Sequence, residues 1–413
     1  MTRVRAWVQR IDSKSLGVDS SAPQKVAVFA PLFEPAKLGG GPIRTLAALV
    51  EAQPEHTSSL VFASDRDLDR ARRLDVASNE TSGQGNHLRY YVSTNKIASL
   101  IRGLVRVRQY GPSILYVNGF FTPIFSILPQ VLGRLRFFPS VSTIVVAPRG
   151  EFSLGALALK PTKKRFYIRV YRFFGLHHQV TWHASAEEEA ADIRREFGSN
   201  TKVLVRENET RLPKVADRPA TDAAGPLRVI FLSRVVKKKG LHVLLSALQS
   251  VTQEIDVTVF GTVEDKPYFD ICEVLADRLP PNVSYRFGGA LDPSAVRRTF
   301  TDFHLFAFPT AGENFGHVIA ESLSVSCPIM CSDSTPWNDR LRAGGGVVVP
   351  GQDMVEWTAA LQKYAELTGP ERLERRLRAA DAFDTWRSAS KGKHIFELAG
   401  LGGGPDPKVP LAG

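Results

Sequence analysis

Two series of short apolar runs, separated by a polar stretch, constrain the fold of this chain more than any other feature of its sequence. The runs are of the unbroken kind typical of strands buried on both faces of a sheet, and helix-like segments lie between them. They predict strands at 26–30, 60–63, 89–92, 114–117, 143–147, 180–182 and 203–205, then at 227–232, 256–260, 283–287, 304–308, 328–331 and 346–349. This alternation predicts an α/β protein with two Rossmann-like, doubly wound parallel sheets.

The domain boundaries follow from changes in composition. We expect a disordered basic leader at 1–24, because that stretch has no apolar core of signal-peptide length. An N-terminal domain at 25–207, a linker rich in Pro, Ala and charge at 208–226, and a C-terminal domain at 227–385 come next. The tail at 386–413 ends in Gly and Pro and is expected to be partly disordered. The apolar region 114–132 is interrupted by polar residues and prolines, which favours a strand, a turn and a buried helix over a membrane span.

The charge and the cysteine content of the chain limit which binding partners and which cellular compartment can be expected. Lysines and arginines outnumber acidic residues by 53 to 42, a balance that favours anionic partners such as phosphates, a lipid surface or nucleic acid. The three cysteines are odd in number and form no Cys-x-x-Cys pair. They therefore predict neither a disulfide framework nor a zinc site, and they favour a reducing cytoplasm.

Residues 308–332 carry the clearest chemical signal. A strand leads through a polar turn containing Glu313 into a helix containing Glu321, and a second strand follows. The start of such a helix presents unpaired N–H groups and suits a phosphate. One glutamate could then reach past the phosphates while the other accepts hydrogen bonds from a vicinal diol such as a ribose. In the alternative interpretation, Glu313 begins a helix and Glu321 lies on a solvated or salt-bridged face.

Two further loops precede helices. Residues 233–240 include three successive lysines after a predicted strand and could neutralise a diphosphate, although a solvated charge run is the alternative. Residues 39–41 are glycines followed by Pro42, which suits a first helical turn. Taken alone, this glycine run is as easily an ordinary loop.

These segments together resemble the retaining GT-B glycosyltransferases of family 4, whose E-x7-E motif matches Glu313 and Glu321. The matching segments cover roughly residues 25 to 380. The resemblance implies two Rossmann-like domains facing across a cleft and a nucleotide-diphosphate-sugar donor of the UDP or GDP type, with no separate cofactor. It also implies retention of the anomeric configuration.

The resemblance assigns roles to individual residues. Arg234 and Lys239 match the arginine and lysine that bind the donor phosphates, with Ser233 in place of a more typical glycine; together with Glu313 they form the expected catalytic set. The expected donor-binding positions are Gly40, Gly41, Arg44, Gly261, Asn314, Phe315, Gly316 and Glu321.

The acceptor side is expected near two strand ends. Arg149 and Glu151 follow one strand where the family often carries a histidine, so a histidine-based role is not expected there. His183 lies at another strand end, where it either faces the cleft or bonds to backbone. No metal is expected, because the Asp-x-Asp patterns at 65–69 lie in what reads as a charged surface helix.

Residues 160–174 combine six cations with bulky apolar and aromatic residues at helical spacing. This pattern predicts either peripheral contact with an anionic membrane or a helix that buries its aromatic face on the sheet.

The preferred hypothesis is transfer of a sugar to a hydroxyl of a glycan or polyprenyl-linked acceptor, in cell-surface polysaccharide or glycoconjugate synthesis. The predicted location is the cytoplasm, at the inner membrane face. Alternatives are another GT-B chemistry, such as nucleotide-sugar epimerisation, and a non-catalytic basic protein. Nucleic acid is not an expected partner because the chain carries no nucleic-acid-binding motif.

Overall fold

The computed structural model describes residues 23–36, 40–68, 73–221, 225–390 and 392–401, which form two α/β domains. The N-terminal sheet has strand order β3-β4-β2-β1-β5-β6-β7-β8, and every neighbouring pair is parallel except β3 and β4. Its strands are β1 Gln24–Ala30, β2 Thr57–Ser64, β3 Thr81–Gln84, β4 His87–Val92, β5 Ile114–Asn118, β6 Thr143–Ala147, β7 Thr181–Ala184 and β8 Val203–Val205.

The C-terminal sheet is wholly parallel, with strand order β11-β10-β9-β12-β13-β14. Its strands are β9 Leu227–Leu232, β10 Ile255–Phe260, β11 Val283–Gly289, β12 Leu305–Phe308, β13 Ile329–Ser332 and β14 Gly346–Val349. The two sheets confirm the predicted fold class. Every predicted strand is present, whereas the antiparallel edge strand β3 was missed because its sequence, TSGQ, contains no apolar run.

Helices cover both faces of the sheets, so the core lies in layers between strands and helices. The helices are α1 Gly41–Glu51, α2 Ile97–Tyr110, α3 Leu128–Arg134, α4 Leu154–Ala158, α5 Pro161–Phe173, α6 Glu187–Phe197, α7 Leu241–Leu248, α8 Lys266–Ala276, α9 Val296–Phe300, α10 His317–Leu323, α11 Asn338–Arg340, α12 Met354–Ala365, α13 Gly369–Ala389 and α14 Ile395–Gly400. Short 3₁₀ or π segments lie at Pro123–Ile127, Leu176–Gln179, Lys237–Lys239 and Leu341–Gly345. No helix in the described ranges is long and apolar enough to cross a membrane.

The C-terminal helices connect the two domains. Helix α13 buries Trp386 in the C-terminal core, and it runs past residue 386, where the predicted tail begins. Helix α14 then packs Ile395, Phe396 and Ala399 into the N-terminal core, and His394 Nε2 lies 3.1 Å from the carbonyl oxygen of Leu49. The chain therefore crosses back to its first domain through a short helix.

Helix α6 begins at Glu187, and the Glu189 carboxylate accepts hydrogen bonds from both the N–H and the hydroxyl of Ser185, each at 2.7 Å. One local prediction is wrong. Asp65 and Asp67 were expected on a surface helix, yet they lie in a non-helical segment and are buried. The hydroxyl of Ser78 donates to Asp65 at 3.0 Å, which offsets part of the cost of burying that carboxylate.

Some predictions fall outside the described residues. These are most of the leader, the last part of the tail, Gly39 in the glycine run, and Asp69.

Candidate active site

The site is built where two adjacent strands of the C-terminal sheet end. Strand β9 leads into the loop 233–240 and its neighbour β12 leads into the loop 309–316. A β-carbon on Gly240, whose φ is +76°, would lie 1.9 Å from the carbonyl oxygen of Pro309. Only glycine permits this approach, and the N–H of Ala311 donates to Lys238 O at 2.8 Å. The two loops are thereby held together.

Lys239 and Glu313 form an ion pair between these loops. Their side chains are only 11% and 14% exposed, and the Lys239 ammonium lies 5.3 Å from the centre of the Phe308 ring. A cation in such a shielded position interacts with a nearby anion more strongly than it would in water. The structure thus brings together two of the three predicted catalytic residues.

Glu321 lies on α10 with its side chain 5% exposed, and it forms an ion pair with Arg44 of α1 in the opposite domain. Its second oxygen, Oε2, is buried and has no hydrogen-bond partner among the described residues. A buried carboxylate oxygen without a donor is costly unless a ligand supplies one. The carboxylate therefore has acceptor capacity left for a hydroxyl group.

The start of α10 is fixed by packing around Phe315. The indole N–H of Trp337 donates to Phe315 O at 2.5 Å, and Gly316 takes the left-handed conformation that begins the helix. Within the described ranges, the N–H groups of Asn314, Phe315 and Gly316 donate to no protein acceptor. These three predicted donor-binding residues therefore offer free N–H groups beside Glu313.

The N-terminal glycine loop closes against α10. Gly40 has a φ of +60° and precedes α1, and a β-carbon on Gly41 would lie 3.5 Å from the His317 ring. His317 Nε2 lies 2.5 Å from the hydroxyl oxygen of Thr45. Burial, together with the charges of Arg44 and Arg149, lowers the pKa of His317 to about 3. The sequence offered no signal for His317, since its neighbour in space lies on a distant helix.

Arg234 is the catalytic-set member that the structure places apart from the pair. It is half exposed, and its guanidinium lies 2.8 Å from Glu264. The predicted donor-binding Gly261 lies beneath the same loop, because a β-carbon there would lie 1.7 Å from Ser233 O. Lys238 is a further cation that the sequence did not single out; burial and the neighbouring Lys239 lower its pKa.

The loop after β6, where the acceptor side is predicted, reaches the opposite domain. A β-carbon on Gly150 would lie 2.9 Å from the Asn314 side chain, and Asn314 Nδ2 donates to Ser185 Oγ at 3.1 Å. The N–H of Gly150 donates to the buried carboxylate of Glu189 at 2.5 Å. Glu189 was not singled out from the sequence, yet it fixes both Gly150 and Ser185 beside Asn314.

Arg149 and Glu151 flank this contact but bond within the N-terminal domain. The Arg149 guanidinium donates to three groups, the side-chain oxygens of Asn118, Tyr116 and Asn208. Glu151 accepts from the N–H groups of Phe120 and Phe121 at 2.5 and 3.3 Å. Burial raises the pKa of Glu151 to about 7.

Of the two interpretations of His183, the structure supports the one in which the residue bonds to backbone. The residue is 2% exposed, with Nδ1 2.7 Å from the Tyr116 hydroxyl and Nε2 2.8 Å from Arg206 O. Burial, and to a smaller extent the charge of Arg149, lowers its pKa to about 3. His183 is therefore a neutral structural residue, as the alternative interpretation holds.

A cavity of about 1240 Å³ opens between the domains. Its lining includes Gly40, Gly41, Arg44, His317 and Glu321, whereas Lys239 and Glu313 lie outside the lining. In the part of the chain that the structure describes, no group of three or more His, Cys, Asp or Glu side chains is arranged to hold a metal ion.

Residues 216–381 match the family model of the glycosyl transferases group 1. The matched region contains Lys239, Glu313 and Glu321, the residues around which the site is built. A D-inositol 3-phosphate glycosyltransferase from Xylanimonas cellulosilytica is 26% identical over 198 residues. That similarity covers 43% of this chain and 46% of the relative, so it spans less than half of the curated protein.

Solved structures share the whole fold. HepE from Anabaena, in complex with UDP and glucose, has a TM-score of 0.63 at 16% identity, covering 89% of this chain and 99% of HepE. Sucrose-phosphate synthase from Thermosynechococcus elongatus has a TM-score of 0.63 at 14% identity, covering 89% and 96%. These likenesses confirm the fold of two parallel-sheet domains.

Proposed function

We propose that the protein is a retaining glycosyltransferase of the family 4 type. It moves a sugar from a nucleotide-diphosphate-sugar to a hydroxyl of a glycan or lipid-linked acceptor, in the synthesis of cell-surface polysaccharide or glycoconjugate. The observation that carries this proposal is the shielded Lys239–Glu313 pair, because Glu313 lies in the loop that leads into the helix of Glu321. The complexes of HepE with UDP and with UDP-glucose support a donor of this class.

Lys239 stabilises the leaving nucleoside diphosphate. Negative charge grows on the phosphate oxygen as its bond to the sugar carbon breaks, and a preorganised cation is most effective where the charge develops. Lys238 and Arg234 add positive charge from the same loop, with Arg234 exchanging Glu264 for the diphosphate. The free N–H groups of residues 314–316 face the same anion.

The two glutamates orient the donor. Glu313, released from Lys239 when the diphosphate binds, accepts hydrogen bonds from hydroxyls of the transferred sugar. Glu321 accepts bonds from the ribose hydroxyls through Oε2, which has no hydrogen-bond partner among the described residues. Arg44 then leaves Glu321 for the diphosphate, beside Gly40 and Gly41.

Retention follows if the acceptor attacks from the side that the diphosphate leaves. The bond between the sugar's anomeric carbon and the phosphate oxygen breaks, and a bond from that carbon to the acceptor oxygen forms. The acceptor's proton passes to the departing phosphate. The loop of Arg149 and Glu151 presents the acceptor, since Gly150 lies against Asn314 at the donor side. The cations supply the charge stabilisation, so we propose a reaction that requires neither a metal nor a cofactor.

The test begins with the nucleotide. A thermal-shift comparison of UDP, GDP and their sugars identifies the donor, because a ligand at 100 times its dissociation constant stabilises the folded protein by about 2.7 kcal/mol. Nucleotide release from that donor is then measured for Glu321→Ala and Lys239→Ala, with the exposed Arg375→Ala as control. We expect both site variants to fall by roughly a hundredfold or more and the control to keep its rate.

Wild-type turnover in both site variants would reject the assignment. The anomeric configuration of the product, read by NMR, tests the retaining mechanism separately: an inverted product would contradict retention while leaving the donor site intact.

A further inference from the structure

Positive charge is concentrated in one part of the N-terminal domain. Between residues 81 and 186 the sequence contains fourteen lysines and arginines but a single acidic residue, Glu151, whereas the net charge of the whole chain is +11. This segment includes α2, the helical stretch 123–134 and α5. Their buried sides share one core with the same face of the sheet, through residues such as Leu104, Phe125 and Ile168. The three segments therefore form one outer face of the domain, which we call the basic face.

Helix α5 has two apolar stripes, of which packing explains only one. Ile168 and Tyr171 are buried against the sheet. Phe166, Val170 and Phe173 follow each other at helical spacing on another side and are 64%, 37% and 84% exposed. Helix α5 therefore buries part of its aromatic surface, as one alternative from the sequence holds, and it leaves a second apolar stripe toward solvent.

Helix α2 repeats the arrangement. Ile97, Ile101 and Val105 are spaced four residues apart and are 78%, 57% and 40% exposed, whereas Leu104 and Val107 are buried. The exposed apolar surface of the basic face therefore includes residues of two helices, α2 and α5.

An apolar groove runs along α5. It has a volume of about 640 Å³ and lies between α5 and residues 123–135. Its lining is apolar apart from Arg134 and the two tyrosines, and includes Ile127, Leu135, Phe166 and Phe174. Such a lining offers few partners to a polar ligand and suits a hydrocarbon chain.

Helix α5, which forms one side of the groove, also carries exposed cations. Lys163, Arg165, Arg169 and Arg172 are exposed, and none of them forms an ion pair with an acidic side chain in the described ranges. Unpaired cations around an exposed apolar surface match the two components of an anionic bilayer, its phosphate headgroups and its acyl chains.

We propose that the basic face docks on a membrane rich in anionic phospholipid, with an acyl chain in the groove along α5. The aromatic stripe enters the headgroup boundary, and the arginines and lysines bind lipid phosphates. Nucleic acid would also attract the cations, but it offers no hydrocarbon chain for the groove.

The basic face is directly connected to the acceptor loop. The Tyr167 hydroxyl of α5 donates to Phe120 O at 3.0 Å, and the N–H of Phe120 donates to Glu151. Glu151 follows Gly150, which lies against Asn314 in the other domain. A lipid-linked acceptor delivered from a docked membrane would therefore enter beside the proposed donor site. That consequence rests on the proposed function, whereas the docking itself does not.

Vesicle sedimentation tests the docking in the absence of any donor. The full chain is mixed with vesicles of equimolar phosphatidylglycerol and phosphatidylcholine, and with pure phosphatidylcholine. We expect binding to the anionic vesicles only. The variant R165E/R169E should weaken binding at least roughly tenfold, because each cation near an anionic surface contributes about 1 kcal/mol. The matched control K363E/R375E reverses two exposed charges on the C-terminal domain and should bind as wild type does.

The contribution of the exposed apolar residues to vesicle binding is tested with a second test variant and a matched control variant. F166S/F173S should weaken vesicle binding, whereas I271S/V355S, which removes two apolar residues that are 59% and 71% exposed on the other domain, should not. Thermal unfolding and nucleotide binding of all four variants are measured alongside, and we expect both to stay at the wild-type level. Phe166→Trp adds a direct readout, since brominated acyl chains should quench its emission.

The proposal is overturned if the wild type does not bind anionic vesicles, or if test and control variants bind equally. It is also overturned if F166S/F173S converts a dimer into a monomer while vesicle binding is absent, because the face would then be an interface between two copies. Retention on DNA or RNA without vesicle binding would assign the face to nucleic acid instead. None of these outcomes depends on whether sugar transfer is observed.

Discussion

Removing the Lys239 ammonium should lower both the stability of the protein and its turnover. A second substitution, at Glu313, should restore the stability but not the turnover. In Lys239→Met, the Glu313 carboxylate loses its partner in a site where both side chains are almost nine-tenths buried. Stranding one partner of a buried pair costs about 3–5 kcal/mol. Because each side chain retains some contact with water, we expect a loss smaller than this, about 2–3 kcal/mol of unfolding free energy.

The double variant Lys239→Met with Glu313→Gln removes both charges. Its stability should return to within about 1 kcal/mol of wild type, since no uncompensated charge remains buried. Its turnover should stay roughly a hundredfold or more below wild type, because the cation that faces the leaving diphosphate is still missing. Urea unfolding and nucleotide release are measured on the same preparations.

A double variant that regained both stability and turnover would refute the catalytic role of Lys239. A single variant as stable as wild type would refute the burial of the pair. Lys363→Met, at an exposed position, is the control for loss of a lysine as such.

Three further predictions concern groups around the site. Gly240→Ala should lower the unfolding free energy by more than about 1 kcal/mol, because its β-carbon meets Pro309 O. Gly351→Ala, also at positive φ but with open space around it, should lower the unfolding free energy by less in the same urea unfolding assay. Equal losses for the two variants would contradict the close approach of the two loops. Glu189→Ala should destabilise the protein by about 2–3 kcal/mol, since the N–H of Gly150 and two groups of Ser185 lose their acceptor. The exposed Glu188→Ala should leave the unfolding free energy unchanged. An unchanged unfolding free energy in Glu189→Ala would contradict the role of Glu189 in holding Gly150 and Ser185. The pKa of His183 is lowered to about 3 in the folded protein, so the unfolded chain binds more protons between about pH 6.5 and 3, and stability should fall as pH drops through that window. His183→Gln should reduce that slope by up to about 1.4 kcal/mol per pH unit, as measured by unfolding at several pH values, and the exposed His56→Gln should leave it unchanged.

Much of the fold was predictable because its signals are local. Strands buried on both faces produce unbroken apolar runs, and most of these runs are followed by a helix, so both parallel sheets could be assigned from one pass along the chain. The resemblance to a known family placed Lys239 and Glu313 in one catalytic set. Their proximity fits the fold, because the carboxyl ends of parallel strands lie at one edge of the sheet.

What the sequence did not yield depends on contacts between distant segments. The Arg44–Glu321 ion pair joins the two domains, and His317 meets Thr45 only once the domains face each other. Glu189 looks like one of three acidic residues at the start of a helix, and only its position beneath Gly150 distinguishes it. Asp65 and Asp67 were misplaced for the same reason, since the groups that allow their burial lie outside the local pattern.

The most direct test of the account is a crystal structure of the protein with the nucleoside diphosphate that gives the larger thermal shift. The account predicts the diphosphate beside Lys239 and the N–H groups of residues 314–316, with both ribose hydroxyls on the Glu321 carboxylate and Arg44 turned away from it. A diphosphate bound elsewhere, with the Lys239–Glu313 and Arg44–Glu321 pairs intact, would contradict it.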